Sequence, residues 1–272
     1  MTKVAAIQMA SGPNIGANLI EAGRLVGQAA AIGAKLVVLP ENFALMGMLE
    51  TDKVAVREKP GNGPIQDFLA QQAAKYGVWL VGGTIPMESN EAQRVRAACL
   101  LFDNHGQRVA RYDKIHLFDV RVEESGENYT ESETIQPGED VAVVDTPFGK
   151  LGLAVCYDLR FPELFRRMLD DGMELLAVPS AFTAITGKAH WQTLLRARAV
   201  ENLCYVIASA QGGYHASGRE THGESMILEP WGGILDRLPR GSGVVTAEID
   251  RSRLESTRRT FPALQHRRIF CK

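Results

Sequence analysis

Three residues of this chain are of types that together could open an acyl bond: a thiol at Cys156, a carboxylate at Glu41 and an amine at Lys114. Each comes at or just after a stretch that reads as a strand. Cys156 ends the run G-K-L-G-L-A-V-C at 149–156, where Leu151, Leu153 and Val155 alternate with small residues, as suits a buried strand. Pro162 follows where a first helical turn would begin, with Glu163 behind it. A cysteine between a strand and a helix projects from a sharp turn, and nearby N–H groups can lower its pKa. A buried cysteine packing as a small hydrophobe fits the same pattern equally well. Glu41 follows the apolar run K-L-V-V-L-P at 35–40, and Lys114 follows a strand at 108–112. Ligand sites in α/β proteins form at strand C-terminal ends, where loops converge. A cysteine nucleophile also needs a base, and the chain offers no convincing histidine for that work.

The elements that must position these groups can be read from periodicity. A strand at 4–9 leads to a helix capped by Asn14, with Leu19, Ala22, Val26 and Ala29 on one face and Gly33 at its end. With the strand at 35–40 this makes a β-α-β unit, so those two strands should lie parallel. Residues 64–76 read as a helix ended by Gly77, 78–85 as a third strand, and 97–102 with 108–112 as a hairpin about D-N-H-G. The stretch 119–140 is rich in Glu, Ser and Gly and reads as an active-site loop or a linker. Beyond Cys156 come a helix through Leu169, a strand at 174–179, a helix at 188–203, and strands at 205–210, 225–229 and 244–249. Strands continue on both sides of the acidic loop with no change in composition, which favours one domain over 1–272. Alternation first and clustered strands later suggest stacked sheets covered by helices.

Composition narrows the function classes. Hydrophobic residues make up 45% of 272, enough for a sizeable core, and the formal net charge of −2 suggests neither a nucleic-acid nor a membrane partner. The N-terminal M-T-K-V-A-A-I-Q-M is too short an apolar run for a signal peptide, and no stretch approaches the roughly 20 apolar residues of a spanning helix. Cys99, Cys156, Cys204 and Cys271 lie far apart, which points to free thiols in a reducing cytoplasm. No G-x-S-x-G elbow, P-loop or H-E-x-x-H occurs. His215 and His222 flank a polar loop with no evident chemistry, and His190 beside Trp191 suits packing.

L-P-E-N at 39–42, Y-D-K-I-H-L-F-D at 112–119 and A-V-C-Y-D-L-R-F-P-E-L at 154–164 resemble the three signature stretches of the nitrilase, or carbon–nitrogen hydrolase, superfamily. Their order and separations match as well. The resemblance implies a four-layer α-β-β-α sandwich, a Glu–Lys–Cys triad, no metal or organic cofactor, and a homodimer or larger homo-oligomer. Carried onto this chain, Cys156 attacks the amide carbon and forms a thioester. Glu41 takes the thiol proton, passes a proton to the leaving group and later activates water, its pKa poised by burial. Lys114, with the backbone N–H of Tyr157, stabilises the oxyanion, and its charge favours the Cys156 thiolate. Glu131 matches a second family glutamate that orients Lys114, although Glu123, Glu124, Glu127 and Glu133 crowd the same loop.

The stretches at 179–191, 194–202 and 204–211 resemble the Nit branch of that superfamily. This implies a cytoplasmic amidase that hydrolyses a small carboxylated amide to acid and ammonia, with deaminated glutathione as the substrate. An ω-amidase acting on α-ketoglutaramate or α-ketosuccinamate is the alternative, ahead of a nitrilase or a catalytically idle scaffold. Ser180 and the sequence at 210–212 favour the first. A carboxylated substrate calls for an arginine, and Arg160, Arg196 and Arg198 are the candidates, each of which could instead pair with Glu163 or Glu201. Phe182 and Thr186 are expected to line the pocket. Glu224 stands where this branch usually carries histidine, which points to an altered dimer contact or substrate loop.

Overall fold

The apolar runs become strands wherever both faces can be covered, and turn residues set their ends. The computed structural model describes residues 1–123 and 126–270, so Glu124 and Cys271 lie outside the described residues. The chain begins with β1 (Thr2–Gln8), α1 (Ile15–Ala31), β2 (Leu36–Val38), α2 (Asp52–Ala55), α3 (Pro64–Tyr76), β3 (Trp79–Val81), β4 (Ile85–Glu88), β5 (Val95–Phe102) and β6 (Arg108–Asp113). A hairpin of β7 (Asp119–Val122) and β8 (Glu127–Thr130) follows. Then come β9 (Val143–Thr146), β10 (Gly149–Leu153), α4 (Pro162–Asp170), β11 (Leu175–Ser180), α5 (Ala184–Asn202), β12 (Tyr205–Ala210), β13 (Gly212–Tyr214), β14 (Glu220–His222), β15 (Ser225–Leu228), β16 (Ile234–Leu238), β17 (Gly243–Ile249) and α6 (Arg251–Thr260).

Two sheets result. One runs β17-β1-β2-β3-β5-β4 with β6 added to β5, and the other runs β16-β15-β12-β11-β10-β9. The β-α-β reading of the N-terminus holds: β1 and β2 pair in parallel, Asn14 caps α1 by accepting from the Ala17 N–H, and Gly77 ends α3 in the left-handed region. The sheets face each other across a shared core that includes Val4, Ala6, Leu36 and Val38 from the first and Leu151, Leu153, Ile207 and Ile227 from the second. The outer face of the first sheet packs on α1 and α3 through Ala22, Leu25, Leu69 and Ala73. That of the second is covered by α4 and α5 through Phe165, Met168, Trp191 and Leu195. Four layers, α-β-β-α, are thus built.

Three details differ from the sequence reading. The stretch 78–85 is two strands, broken at Gly82-Gly83. Gly83 has φ +56°, and a Cβ there would sit 2.0 Å from the Pro40 carbonyl oxygen, so the chain must turn where it passes Pro40-Glu41. The stretch 119–140 contains the β7–β8 hairpin and a single 3-10 turn at Glu131–Glu133. The strand before Cys156 ends at Leu153, and a 3-10 turn, Cys156–Arg160, intervenes before α4.

Candidate active site

Strand direction explains why distant residues meet. β2 runs antiparallel to neither β1 nor β3, while β5 reverses and β6 reverses again, so β2 and β6 end at the same edge of the first sheet. Glu41 lies three residues beyond β2, and Lys114 directly follows β6. In the second sheet β10, β11 and β12 are mutually parallel. A bridge between Met9, after β1, and Gln211, after β12, brings the matching ends of the two sheets together.

At that junction Lys114 Nζ lies 2.9 Å from Glu41 Oε1 and 2.8 Å from both carboxylate oxygens of Glu131. Lys114 is 1% exposed and Glu41 4%. Glu131 is itself held by the Phe118 N–H, which donates to Oε2 at 2.7 Å. Of the described glutamates in the 119–140 stretch, Glu131 is thus the one brought onto the lysine. Cys156 hydrogen-bonds the Glu41 carboxylate, and the Ala181 N–H reaches its sulfur. The backbone at Cys156 has φ +50°, a left-handed conformation rare for a side-chain-bearing residue, which swings the thiol out of the strand direction.

Asp158 holds that turn. Fully buried, it accepts from the Val155 N–H at 2.8 Å, the Tyr112 hydroxyl at 2.7 Å and the His116 N–H at 3.1 Å, with His116 Nδ1 at 2.7 Å. One carboxylate therefore ties the Cys156 turn to the segment carrying Lys114. Glu41 is fixed from behind by Gln211, whose Nε2 donates to its carbonyl at 3.0 Å.

The electrostatics differ from expectation in one respect. Burial and the adjacent Glu41 carboxylate push the Cys156 thiol well above its ordinary range. Lys114 and the Ala181 N–H pull the other way, as anticipated, but do not prevail. Burial would raise Glu41, yet the Lys114 ammonium and the hydrogen bonds from Cys156 and Lys114 carry it below the ordinary carboxylate value. Burial would likewise lower Lys114, but Glu131 and Glu41 hold it well above its usual range. The resting site is therefore a thiol, a carboxylate and an ammonium.

These groups open into a cavity of about 400 Å³. Arg160, Phe182 and Thr186 line it, as do Tyr157 and Phe118. The Arg160 guanidinium lies over the rings of Tyr157 and Phe182 at 5.6 and 5.3 Å, and its Nη1 is 3.1 Å from His190 Nδ1. Arg196 and Arg198 do not reach the cavity. They lie 10 and 12 residues beyond Thr186, about 15–18 Å further along α5. Arg196 donates to the Gly232 carbonyl, and Arg198 to the Leu159 carbonyl and to Glu201, the internal pairing that was the alternative for it. Glu224 is outside the cavity lining too, in a left-handed turn with its carboxylate 3.8 Å from Arg237. Arg219, Lys53, Glu50 and Tyr129 line the cavity without having been singled out in the sequence. Arg219 belongs to the loop between His215 and His222, and no local motif marks it. Among the described residues no group of three His, Cys, Asp or Glu is placed to hold a metal ion.

Comparison with known proteins identifies the family. Residues 3–259 match the carbon–nitrogen hydrolase family. A deaminated glutathione amidase of Synechocystis is 46% identical over 97% of this chain and 97% of its own. The human protein of that name is 40% identical over 97% of this chain and 82% of its own. The crystal structure of Saccharomyces cerevisiae Nit3, described as a member of branch 10 of the nitrilase superfamily, superposes with a TM-score of 0.88 at 32% identity, over 98% of this chain and 97% of the yeast one. With three signature stretches converging on one cavity and a match along nearly its whole length, the chain belongs to the carbon–nitrogen hydrolase family.

Proposed function

We propose that this hydrolase cleaves the amide of deaminated glutathione, with Cys156 as nucleophile, Glu41 as acid and base, and Lys114 as the electrostatic partner held by Glu131. The observation that carries the reading is the buried Glu41–Lys114–Glu131 cluster hydrogen-bonded to a thiol on a strained turn. The relatives named deaminated glutathione amidase support the substrate.

Because the resting thiol is protonated, attack and proton transfer go together. Cys156 Sγ bonds to the amide carbon as its proton passes to Glu41. The oxyanion that forms meets the field of Lys114 and the Tyr157 N–H, donors that are often worth about 3 kcal/mol each. Glu41 then protonates the amide nitrogen, the C–N bond breaks, and a thioester remains. Water attacks the thioester while Glu41 takes one of its protons. The acid leaves, and that proton returns to the Cys156 sulfur. In deaminated glutathione the amide nitrogen carries the cysteinylglycine unit, so the group that departs is an amine. Ammonia departs only from primary amides such as α-ketoglutaramate.

Arg160 is suited to the substrate's α-keto carboxylate, with Phe182 and Thr186 packing the acyl chain. The same reading takes the chain as one catalytic domain, cytoplasmic and assembled as a homodimer or larger homo-oligomer. The buried free thiols of Cys99, Cys156 and Cys204 support a reducing compartment, and the exposed Val200, Trp231 and Phe261 support self-association.

The test compares kcat/KM for deaminated glutathione and for α-ketoglutaramate, following 2-oxoglutarate and the departing amine or ammonia. The reading expects a large preference for the former, and a loss of at least about 10³-fold in Cys156→Ala. A preference for α-ketoglutaramate would make the enzyme an ω-amidase instead.

A further inference from the structure

One cation of the cavity wall takes no part in the chemistry above. Arg219 lies in the turn between β13 and β14 and lines the cavity. Its Nη2 donates to the Ala181 carbonyl at 2.8 Å, its guanidinium stands 5.2 Å from the centre of the Tyr129 ring, and its Nε is buried with no acceptor. Neither of these contacts is with a carboxylate, although Glu50 and Glu41 on the same wall feel its charge. Glu127, on the same wall, hydrogen-bonds the Tyr129 hydroxyl. A buried donor left unmet costs about 1–3 kcal/mol, so the guanidinium is not fully satisfied by its own chain.

The turn is fixed before anything binds. The His215 N–H donates to the Arg219 carbonyl at 2.9 Å. The His215 ring is buried, with Nδ1 2.8 Å from the Ser11 carbonyl oxygen and Nε2 2.7 Å from the Thr221 hydroxyl. A bridge joins Thr221 to Thr183, at the start of α5. A guanidinium set on such a frame loses little freedom on meeting a ligand.

The side of the substrate that Arg219 meets follows from Glu41. Glu41 gives its proton to the departing nitrogen, so the leaving group lies on the Glu41 side of the scissile carbon. Arg219 stands over Tyr129, two residues before the Glu131 that holds Lys114 against Glu41, whereas Arg160 belongs to the Cys156 turn and stacks on Tyr157 and Phe182. We infer that Arg219 binds a carboxylate on the leaving group and so selects amides whose amine half ends in an acid over primary amides. The inference rests on the reading of deaminated glutathione as substrate. There the terminal carboxylate stands two residues beyond the scissile nitrogen, about 7 Å when extended. A guanidinium fork matches that group, and ammonia offers it nothing.

The experiment measures kcat/KM for the wild type, Arg219→Gln and Arg219→Lys. The substrates are deaminated glutathione and its C-terminal glycinamide, and the readout is 2-oxoglutarate release. Arg219→Gln should lose about 30- to 100-fold on the free acid, mostly in KM, and at least about tenfold less on the glycinamide. Arg219→Lys should fall between, keeping part of the preference for the acid. Should Arg219→Gln fail to fold, the acid-to-amide ratio of Arg219→Lys decides the matter by the same criterion. Equal losses on both substrates would overturn the inference, since Arg219 would then act through Glu41 or the fold. No loss on either would overturn it as well. A wild-type enzyme inert toward deaminated glutathione refutes the substrate assignment instead, and this inference with it.

Discussion

At the scale of single residues, the site sets its own pH window. Glu41 must be ionised to accept the thiol proton, and its pKa lies below the ordinary carboxylate value. Activity is therefore lost only as pH falls through that depressed pKa. The Cys156 thiol is raised, so it stays protonated through neutrality and its ionisation falls above the ordinary thiol range. Hence kcat/KM should be flat across neutral pH, with its acid limb below the usual carboxylate range. A pH–rate profile checks this, and a rise in kcat/KM centred on an ordinary thiol pKa would show a preformed thiolate instead. Glu131 acts one contact away, through Lys114. Glu131→Gln should lower kcat by about 10²-fold with little change in KM, and full kcat in that variant would remove Glu131 from the mechanism. The candidate triad was legible in the sequence through the three signature stretches, each lying at or just past the end of a strand. The pKa balance was not, because burial by distant elements sets it. Arg219 was not legible either: its neighbours Ala181 and Tyr129 lie 38 and 90 residues away in a chain that only the fold brings together.

Individual elements carry the geometry, and they can be tested one at a time. The periodic helices, α1 and α3, were readable to within a residue or two because cap residues and apolar spacing are local signals. The break at Gly82-Gly83 was not, since its cause is the passage of Pro40, 43 residues earlier. Gly83→Ala places a Cβ against the Pro40 carbonyl at a positive φ. It should displace Glu41 and lower kcat/KM by about tenfold or more, with a stability loss of about 2 kcal/mol seen in urea titration. Asp158 sits in a motif stretch and is placed to hold the turn rather than to line the cavity. Asp158→Ala strands the Tyr112 hydroxyl and the Val155 N–H in the core. A loss of about 3 kcal/mol is expected, read as a fall in the urea midpoint. If stability is unchanged while activity falls, Asp158 has a role beyond holding the turn.

Across the whole molecule, the proposed triad is divided between layers. Glu41 and Lys114 come from the end of the first sheet, and Cys156 from the second. No single sheet holds a working site, so catalysis reports on how the two sheets are packed. Stacked sheets under helices were foreseeable from the order of elements, but which strand ends meet was not, because Met9 and Gln211 pair across 202 residues of sequence. Ile207 is fully buried on β12, and its neighbour Ser209, on the same face of that strand, donates from its hydroxyl to the Ile7 carbonyl of β1. Ile207 thus points into the space between the sheets. Ile207→Ala should cost about 3 kcal/mol by the cavity that it leaves. Because the site exists only where the sheets meet, the urea midpoint of activity loss should move down together with that of unfolding, in the variant as in the parent. An activity midpoint well below the unfolding midpoint would mean that the sheets part at the site before the rest of the core gives way.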